Sequence, residues 1–397
     1  MSKMITCIPK IRFKDYLNDW LYTELKEVKD VRDGTHASPN YFFSGYPLVT
    51  SKNLTDSGLN LNDVSLISES DYIEINKRSK VEAGDILLGL IGTIGKPVLV
   101  EIDGFAIKNV GLIKNGGQIQ NQFLLQYLKT NIFNKYIQIE MAGNTQKFLG
   151  LETLRNTKVP IPSPEEQSAI GSLFRTLDDL LTSYKDNLAN YQSLKATMLS
   201  KMFPKAGQTV PEIRLDGFEG EWEEKEFSKL VKRVTQSSDS YSLPKVEFED
   251  VISGQGRLNK DISSKFDNRK GIHFKPGYTL YGKLRPYLNN WLLPKFEGVA
   301  LGDFWVFDPN GNDSNFIYYL VQSNRYQKVA NDTSGTKMPR SDWKSVSSTI
   351  FAIPQTIAEQ QAIGTYFLNL DNLINSHQEK ISQLETLKKK LLQEMFI

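Results

Sequence analysis

The architecture this sequence predicts is two globular α+β domains separated by a long antiparallel two-helix coiled coil, organised as a pseudo-two-fold internal repeat. Three observations carry that expectation. A long segment beginning at Glu166 recurs at Glu359 in constant register. Both copies hold a sustained heptad of apolar residues. Each copy follows a stretch in which short strand-like runs alternate with Gly, Pro and Asn turns and one helical segment.

The repeat comes first because it organises everything else. Glu166-Gln167-Ser168-Ala169-Ile170-Gly171 returns as Glu359-Gln360-Gln361-Ala362-Ile363-Gly364. Leu177-Asp178-Asp179-Leu180-Leu181 returns as Leu370-Asp371-Asn372-Leu373-Ile374, and Met202-Phe203 as Met395-Phe396. About 15 of ~38 positions are identical, too many for chance in segments so far apart. A fainter echo precedes each domain: Ile11-Arg12-Phe13 with Tyr16 and Trp20 matches Ile213-Arg214-Leu215 with Phe218 and Trp222.

Both repeated segments start with helix signals. Ser163-Pro164-Glu165-Glu166 reads as an N-cap serine, a proline at the first helical position and a glutamate closing a capping box. Thr356-Ile357-Ala358-Glu359 is the same box with threonine. Pro204 and Gly207 predict that the first helix stops at Phe203, and the second runs toward the end of the chain. In the first, Phe174, Leu177, Leu181, Tyr184, Leu188, Tyr191, Lys195, Met198 and Met202 step by alternating four and three residues. Phe367, Leu370, Ile374, His377, Ile381, Leu384, Lys388, Leu391 and Met395 do so in the second. The candidates for helix pairing are Phe174, Leu177, Leu181, Leu188 and Met198 against Phe367, Leu370, Ile374, Ile381 and Leu391. One lysine interrupts each seam at the same place. An ordinary amphipathic helix covering its own domain is the plainer alternative, but heptads sustained in both copies favour pairing. A helix of ~38 residues is ~57 Å long. The second domain begins where the first helix ends, so the second helix must run back to bury its seam, which makes the expected pair antiparallel and the molecule a dumbbell.

The expected division is 1–159 for the first domain, 160–204 for the first helix, 205–352 for the second domain and 353–397 for the second helix. In the first domain Tyr46–Thr50, Asp71–Ile75, Asp85–Leu88 and Pro97–Val100 read as strands and Gln122–Glu140 as a helix. In the second, Thr279–Tyr281, Trp291–Leu293 and Phe304–Phe307 read as strands and Asn315–Ala330 as a helix.

Composition excludes several classes. At 397 residues, 40% apolar and 24% charged, the chain has the profile of a folded globular protein. Its one cysteine, Cys7, permits no internal disulfide and suits a reducing cytoplasm. The histidines His36, His273 and His377 lack ligand spacing, so no metal is assigned. Met1–Trp20 carries charge throughout and lacks a signal-peptide core. Ile86–Val100, the most apolar stretch, is broken by glycines and is too short to span a membrane. A net charge of +2 is low for a protein that grips DNA alone, and easier to accept if a partner supplies part of the phosphate contact.

The loops hold groups suited to nucleic acid. Tyr281-Gly282-Lys283-Leu284-Arg285-Pro286-Tyr287 interleaves basic and aromatic residues, and Ser334 to Arg340 adds two cations. The candidates are therefore Lys283, Arg285, Tyr287, Thr336, Lys337 and Arg340 in the second domain. In the first they are Thr35, His36, Lys52, Asn53, Thr93, Lys96, Thr145, Gln146 and Lys147. Arg and Lys reach guanine acceptors or hold phosphates, and Asn and Gln pair with adenine. Taken singly, each of these residues is more simply a solvated loop residue than a contact.

Two motifs are decoys. Gly92-Thr93-Ile94-Gly95-Lys96-Pro97 is spaced wrongly for a phosphate-binding loop and has proline where Ser or Thr is required. Asp33-Gly34-Thr35-His36 has no second catalytic partner at a fixed distance and reads as a turn. The sequence holds no Asn-Pro-Pro-Tyr-like methyltransferase site, dinucleotide fingerprint or recognisable nuclease cluster, so catalysis by this chain is not expected.

Val159-Pro160-Ile161-Pro162 leading into Glu165-Glu166-Gln167, a long helix ending Met202-Phe203-Pro204, and the repetition of the unit together resemble the specificity subunits of type I restriction–modification systems. So does Ile213-Arg214-Leu215 followed by Phe218-Glu219-Gly220-Glu221-Trp222. The first lead-in, Lys10 to Trp20, departs in lacking the second copy's Gly217 and Gly220. The resemblance covers nearly the whole chain. It implies that the globular blocks are target-recognition domains and that the helices are spacers which also dock methyltransferase subunits. It further implies a bipartite, asymmetric target on double-stranded DNA, with the length of the helical bar setting the unread spacer. Two methyltransferase subunits and the restriction/translocase subunits are the implied partners, in the cytoplasm and with no membrane. S-adenosylmethionine, ATP and magnesium would belong to those partners, and no cofactor to this chain. Two other classes remain open: a coiled-coil adaptor that shows no sequence preference on DNA, and an enzyme with an unrecognised metal-dependent nuclease site, which would cleave DNA by itself.

Overall fold

The structure is a computed structural model that describes residues 6–56, 58–142, 147–263, 267–332 and 338–396. The chain divides into two compact units, one of residues 1–184 with 380–397 and one of residues 185–379. This division runs through the middle of both long helices, Pro164–Lys201 and Ile357–Glu394.

In unit 1, Trp20–Glu24 lies between Thr6–Cys7 and Lys158–Ile161, all antiparallel, with Leu21 opposite Ile161. A second antiparallel sheet runs Val31–Asp33, Val110–Ile113, Ile86–Gly89, Pro97–Leu99. The two central strands are buried on both faces, which explains their continuous apolar runs. In a third sheet Ala106–Ile107 pairs in parallel with Tyr46–Val49, which pairs in turn with Ser65–Ile67. Helices Asn121–Leu128 and Asn131–Glu140 cover one side.

Unit 2 repeats this plan. Glu223–Glu226 pairs with Ile350–Ile353, with Glu223 opposite Ile353, the equivalent of Leu21 opposite Ile161. The four-stranded sheet runs Lys232–Arg233, Phe304–Asp308, Thr279–Gly282, Trp291–Leu292, in the same order as its counterpart. The units diverge in the third sheet. There Gly271–Phe274 joins Gly298–Ala300, whereas the corresponding strand of unit 1, Ser65–Ile67, joins the opposite partner. Helices Ser314–Leu320 and Asn324–Ala330 follow.

Four sequence expectations are corrected. Asp71–Ile75 is not a strand but part of the helix Glu69–Ser79. Ser68 caps that helix by accepting from the Asp71 amide (3.1 Å), and Tyr72 and Ile75, three apart, pack on Leu48, Ile67 and Ala106. Each domain helix is also two helices rather than one. Thr130 and Ser323 break them by capping a new start, accepting from Phe133 N (3.3 Å) and Tyr326 N (3.4 Å). The first long helix ends at Lys201, two residues before Phe203.

The fourth correction concerns the repeated glutamates. Ser163 and Thr356 cap as expected, each accepting from the amide of the glutamate three residues on (3.3 Å). Glu166 and Glu359, however, turn inward instead of closing a capping box. Arg12 Nε and Nη2 donate to Glu166 at 2.6 and 2.7 Å, and the Trp20 indole N–H donates at 2.9 Å. Arg214 donates to Glu359 at 2.7 and 2.9 Å and the Trp222 indole at 3.1 Å. The faint sequence echo before each domain is therefore one half of a buried clamp, and the repeated glutamate is the other. The missing glycines of the first lead-in do not alter it. Arg12 Nη2 reaches the carbonyl of Asn18, as Arg214 Nη1 reaches that of Gly220, and none of residues 10–20 has a positive φ.

The neighbouring glutamines act alike. Gln167 accepts from the Gln120 amide (2.8 Å) and Gln360 from the Asp313 amide (3.0 Å), each at the start of a domain helix. Gly171 and Gly364 allow the crossing there, since a Cβ would meet Gln122 Cβ at 3.0 Å and Asn315 Cβ at 2.7 Å.

Within each unit the two helical segments run antiparallel. In unit 2, Phe203 stacks with Phe367 (6.0 Å between centroids), Lys195 pairs with Asp371 and Tyr191 meets His377. In unit 1, Phe174 packs on Phe396 and Asp178 pairs with Lys388. Met395-Phe396 closes the core of unit 1 beside Trp20, Phe123 and Phe174, and Met202-Phe203 closes that of unit 2 beside Trp222, Phe316 and Phe367. Phe174, Leu177, Leu181, Phe367, Leu370 and Ile374 are buried, while Leu188, Met198, Ile381 and Leu391 are half-buried.

Candidate nucleic-acid interface

In each unit the loop that follows the central sheet strand is tied to the segment that follows the second domain helix. Unit 1 brings together Gly89–Lys96 and Lys147–Leu149. Ile91 forms a bridge to Phe148, and the Leu149 amide donates to Leu90 O at 2.8 Å. Ser51 Oγ donates to Ile91 O, which attaches the 3₁₀ turn Ser51–Asn53 to the same loop. Glycine is required at 89, where a Cβ would lie 1.8 Å from Thr93 O.

Around this frame, Lys147 is exposed, and Lys52 is exposed with Asp63 at 3.4 Å. Thr93 and Lys96 are half-buried, with Lys96 paired to Asp56 at 3.1 Å. Asn53 is only 4% exposed, and its amide is consumed within the loop, accepting from Thr50 N (2.9 Å) and donating to Asp63 O (2.9 Å). It shapes the turn and offers nothing to a base edge. Thr145 and Gln146 lie outside the described residues.

Thr35 bridges to Lys108, and its hydroxyl accepts from Ala37 N. His36 Nδ1 faces Asn109 Oδ1 and its Nε2 faces Asp33 Oδ2, both at 2.8 Å. Two acceptors on two ring nitrogens are satisfied together only by the doubly protonated ring. Asn109 first and then Asp33 therefore hold the imidazole pKa above its ordinary 6.5. Asn109, in the left-handed region at φ 55, also accepts from Leu90 N (3.3 Å), which couples His36 to the 89–96 loop.

Unit 2 has the same frame with different side chains. Leu284 bridges to Arg340, Arg285 N donates to Pro339 O at 2.7 Å and Ser341 N to Lys283 O at 2.9 Å. Lys283 N donates to Asp303 O at 2.9 Å, as Leu90 N does to Asn109 O, so Asp303 and Asn109 are equivalent. The Asp303 carboxylate binds Arg340 (3.0 Å) and faces Lys283 (3.8 Å). Arg285 and Tyr287 project from the 3₁₀ turn Pro286–Leu288, both exposed. Thr336 and Lys337 lie outside the described residues.

Sequence reasoning missed Asn109 and Asp303, and it missed Lys108, which bridges to Thr35 and donates to Ser38 Oγ (2.6 Å). The signal was present: each polar residue directly precedes a buried strand, Val110–Ile113 or Phe304–Asp308. Tyr41, Phe42 and Phe43, three consecutive exposed aromatics beyond His36, were also passed over. Among the described residues, no cluster of His, Cys, Asp and Glu could hold a metal ion, and no helix is long and apolar enough to cross a membrane.

Comparisons with known proteins agree with the duplicated plan. A family model described as the type I restriction modification DNA specificity domain matches residues 18–190 and again 222–386. A sequence from Methanocaldococcus jannaschii assigned as the MjaX type I restriction enzyme specificity subunit is 24% identical over 412 aligned residues, 94% of this chain and 92% of its own length. The crystal structure of a type I restriction–modification system S subunit from M. genitalium superposes with a TM-score of 0.64 at 14% identity, covering 98% of this chain and 99% of that one. A structure concerned with complex assembly and conformational transition of the type I R-M system gives 0.52 at 15% identity, covering 96% and 98%. With one globular fold built twice, each copy clamped to a long helix through the same Arg-Trp-Glu contact and each matched by the same family model, the chain belongs to the type I restriction–modification DNA specificity family.

Proposed function

We propose that this chain is the DNA-reading subunit of a type I restriction–modification complex, each unit reading one half-site of a bipartite, asymmetric target. The observation that carries this reading is the repeated loop frame with unlike tips: His36, Lys52 and Lys147 around Asn109 in unit 1, and Lys283, Arg285, Tyr287 and Arg340 around Asp303 in unit 2. A shared frame presents side chains in the same way, and different side chains read different bases. Thr145, Gln146, Thr336 and Lys337 belong to the same two loops by sequence.

The chain itself is non-catalytic. It docks two methyltransferase subunits, and restriction/translocase subunits join that complex in the cytoplasm. S-adenosylmethionine, ATP and magnesium are bound by the partners. The near-neutral net charge of this chain supports a shared grip on phosphates. Selection of random-sequence duplexes by the purified complex with its methyltransferase subunits tests the reading. One enriched motif, with two unlike halves and a fixed unread spacer, is expected. Binding without any enriched sequence would favour the coiled-coil adaptor instead.

A further inference from the structure

The candidate loop of unit 2 sorts its cations into two kinds. Lys283 and Arg340 share the Asp303 carboxylate, so their charge is partly spent inside the protein. Arg285 differs. Its guanidinium has no hydrogen-bond or ion-pair partner among the described residues, and it is exposed beside the exposed Tyr287. Its backbone is held in the left-handed region at φ 48 and ψ 61, and Asn289, on the other side of the turn, lies there at φ 55. An arginine is strained in that region, and such conformations persist where the surroundings over-determine them, commonly at binding sites.

The surroundings here do so. Arg285 N donates to Pro339 O (2.7 Å), Asn289 N to Pro286 O (2.9 Å), Gly254 N to Asn289 O (3.0 Å) and Gly282 N to Asn290 O (2.7 Å). Pro286 is buried, and Ser253 Oγ donates to Leu288 O. The loop is therefore rigid at both ends, with one unengaged guanidinium at its tip. A planar guanidinium presents two parallel N–H donors, which match the O6 and N7 acceptors of guanine in the major groove.

We propose that Arg285 is the base-reading residue of unit 2 and specifies a guanine in the half-site that unit 2 recognises, while Lys283 and Arg340, which share the Asp303 carboxylate, shape the loop. This inference rests on the DNA-reading function proposed above. The test uses the full chain in complex with its methyltransferase subunits, in cells without another such system, with methylated adenines mapped genome-wide for wild type, R285A and R285K. The expected result is that one G·C position in one half of the motif relaxes to any base in R285A, with the other half unchanged. In binding assays on duplexes, discrimination at that position falls about 5- to 150-fold, the range of one bidentate arginine–guanine pair.

R285K keeps the charge and loses the fork, so it relaxes the same position while retaining most of its affinity. Loss of affinity across all sequences with an unchanged motif would make Arg285 a phosphate contact and overturn the inference, as would a wild-type motif with no G·C pair in either half. A wild-type complex that methylates no motif would instead overturn the underlying reading. Thermal melts of both variants at the wild-type temperature are expected, because the guanidinium makes no hydrogen bond or ion pair among the described residues.

Discussion

Lys195 and Asp371 form an ion pair at 2.7 Å, at the same place in the repeat as Asp178 and Lys388. The lone lysine that interrupts each heptad seam is thus answered by the aspartate of the other copy. Both partners of the first pair are largely buried, with 13% and 16% of their side chains exposed. Asp371 also accepts from Tyr319 Oη at 2.8 Å, and desolvation first, then that carboxylate, push the Tyr319 hydroxyl far above its ordinary pKa. A polar pair in an apolar seam fixes register, because sliding either helix strands both charges away from water.

Removing one member should therefore cost more than removing both. K195A is expected to destabilise the protein by ~2–4 kcal/mol, while replacing Lys195 and Asp371 together by methionine and leucine should recover at least ~1 kcal/mol of that loss. Urea denaturation of the two variants and of D371L completes the cycle. Strictly additive losses would show that the pair is not coupled.

The Glu166 clamp makes a second prediction. E166A leaves the buried Trp20 indole N–H without its acceptor and takes the carboxylate from the Arg12 guanidinium, at an expected cost of ~3–5 kcal/mol. E166Q, which keeps an acceptor for Trp20, should lose less. E359A and E359Q should rank the same way in the second copy, and a denaturation midpoint unchanged in E166A would refute the role given to the clamp.

The crossing glycines differ in tightness. A Cβ at 364 would meet Asn315 Cβ and Asp313 Oδ1 at 2.7 Å, against a nearest contact of 3.0 Å at 171. G364A should destabilise by ~1–3 kcal/mol and G171A by less. Thermal melts followed by circular dichroism give the order directly.

His36 supplies the pH dependence. Its folded pKa is raised above 6.5, so the stabilisation of the imidazolium by Asn109 and Asp33 is full below about pH 6.5 and is lost as pH rises through the folded value. DNA affinity should fall over the same window as a cation leaves the unit 1 loop. The wild-type complex should bind its target more tightly at pH 6 than at pH 8 by a margin that H36N reduces. An equal margin in both proteins would remove His36 from the interface.

Much of this architecture was legible in the sequence because repetition doubles every local signal. Glu166 and Glu359, the Met-Phe endings and both lysines stand out in the sequence. What they do was not legible. A glutamate three residues after a serine reads as a capping box, and only tertiary contact shows Arg12 and Trp20 taking it instead. The misread strand at Asp71–Ile75 failed on period. Over five residues, Ile73 and Ile75 alternate as a strand face would, while Tyr72 and Ile75 share a helix face, and the Ser68 cap decides between them. Composition marks the loop candidates but cannot tell the consumed amide of Asn53 from the unengaged guanidinium of Arg285. Asn109 and Asp303 were invisible because their role lies in pairing loops that sequence places far apart.

The central claim is that this chain selects a DNA sequence through two unlike readers. Genome-wide mapping of methylated adenines in cells that express the full chain with its methyltransferase subunits tests it most directly. The account predicts a single asymmetric motif of two short halves around an unread spacer of fixed length. A palindromic motif, or methylation without a motif by a complex that binds the methyl donor, would contradict it.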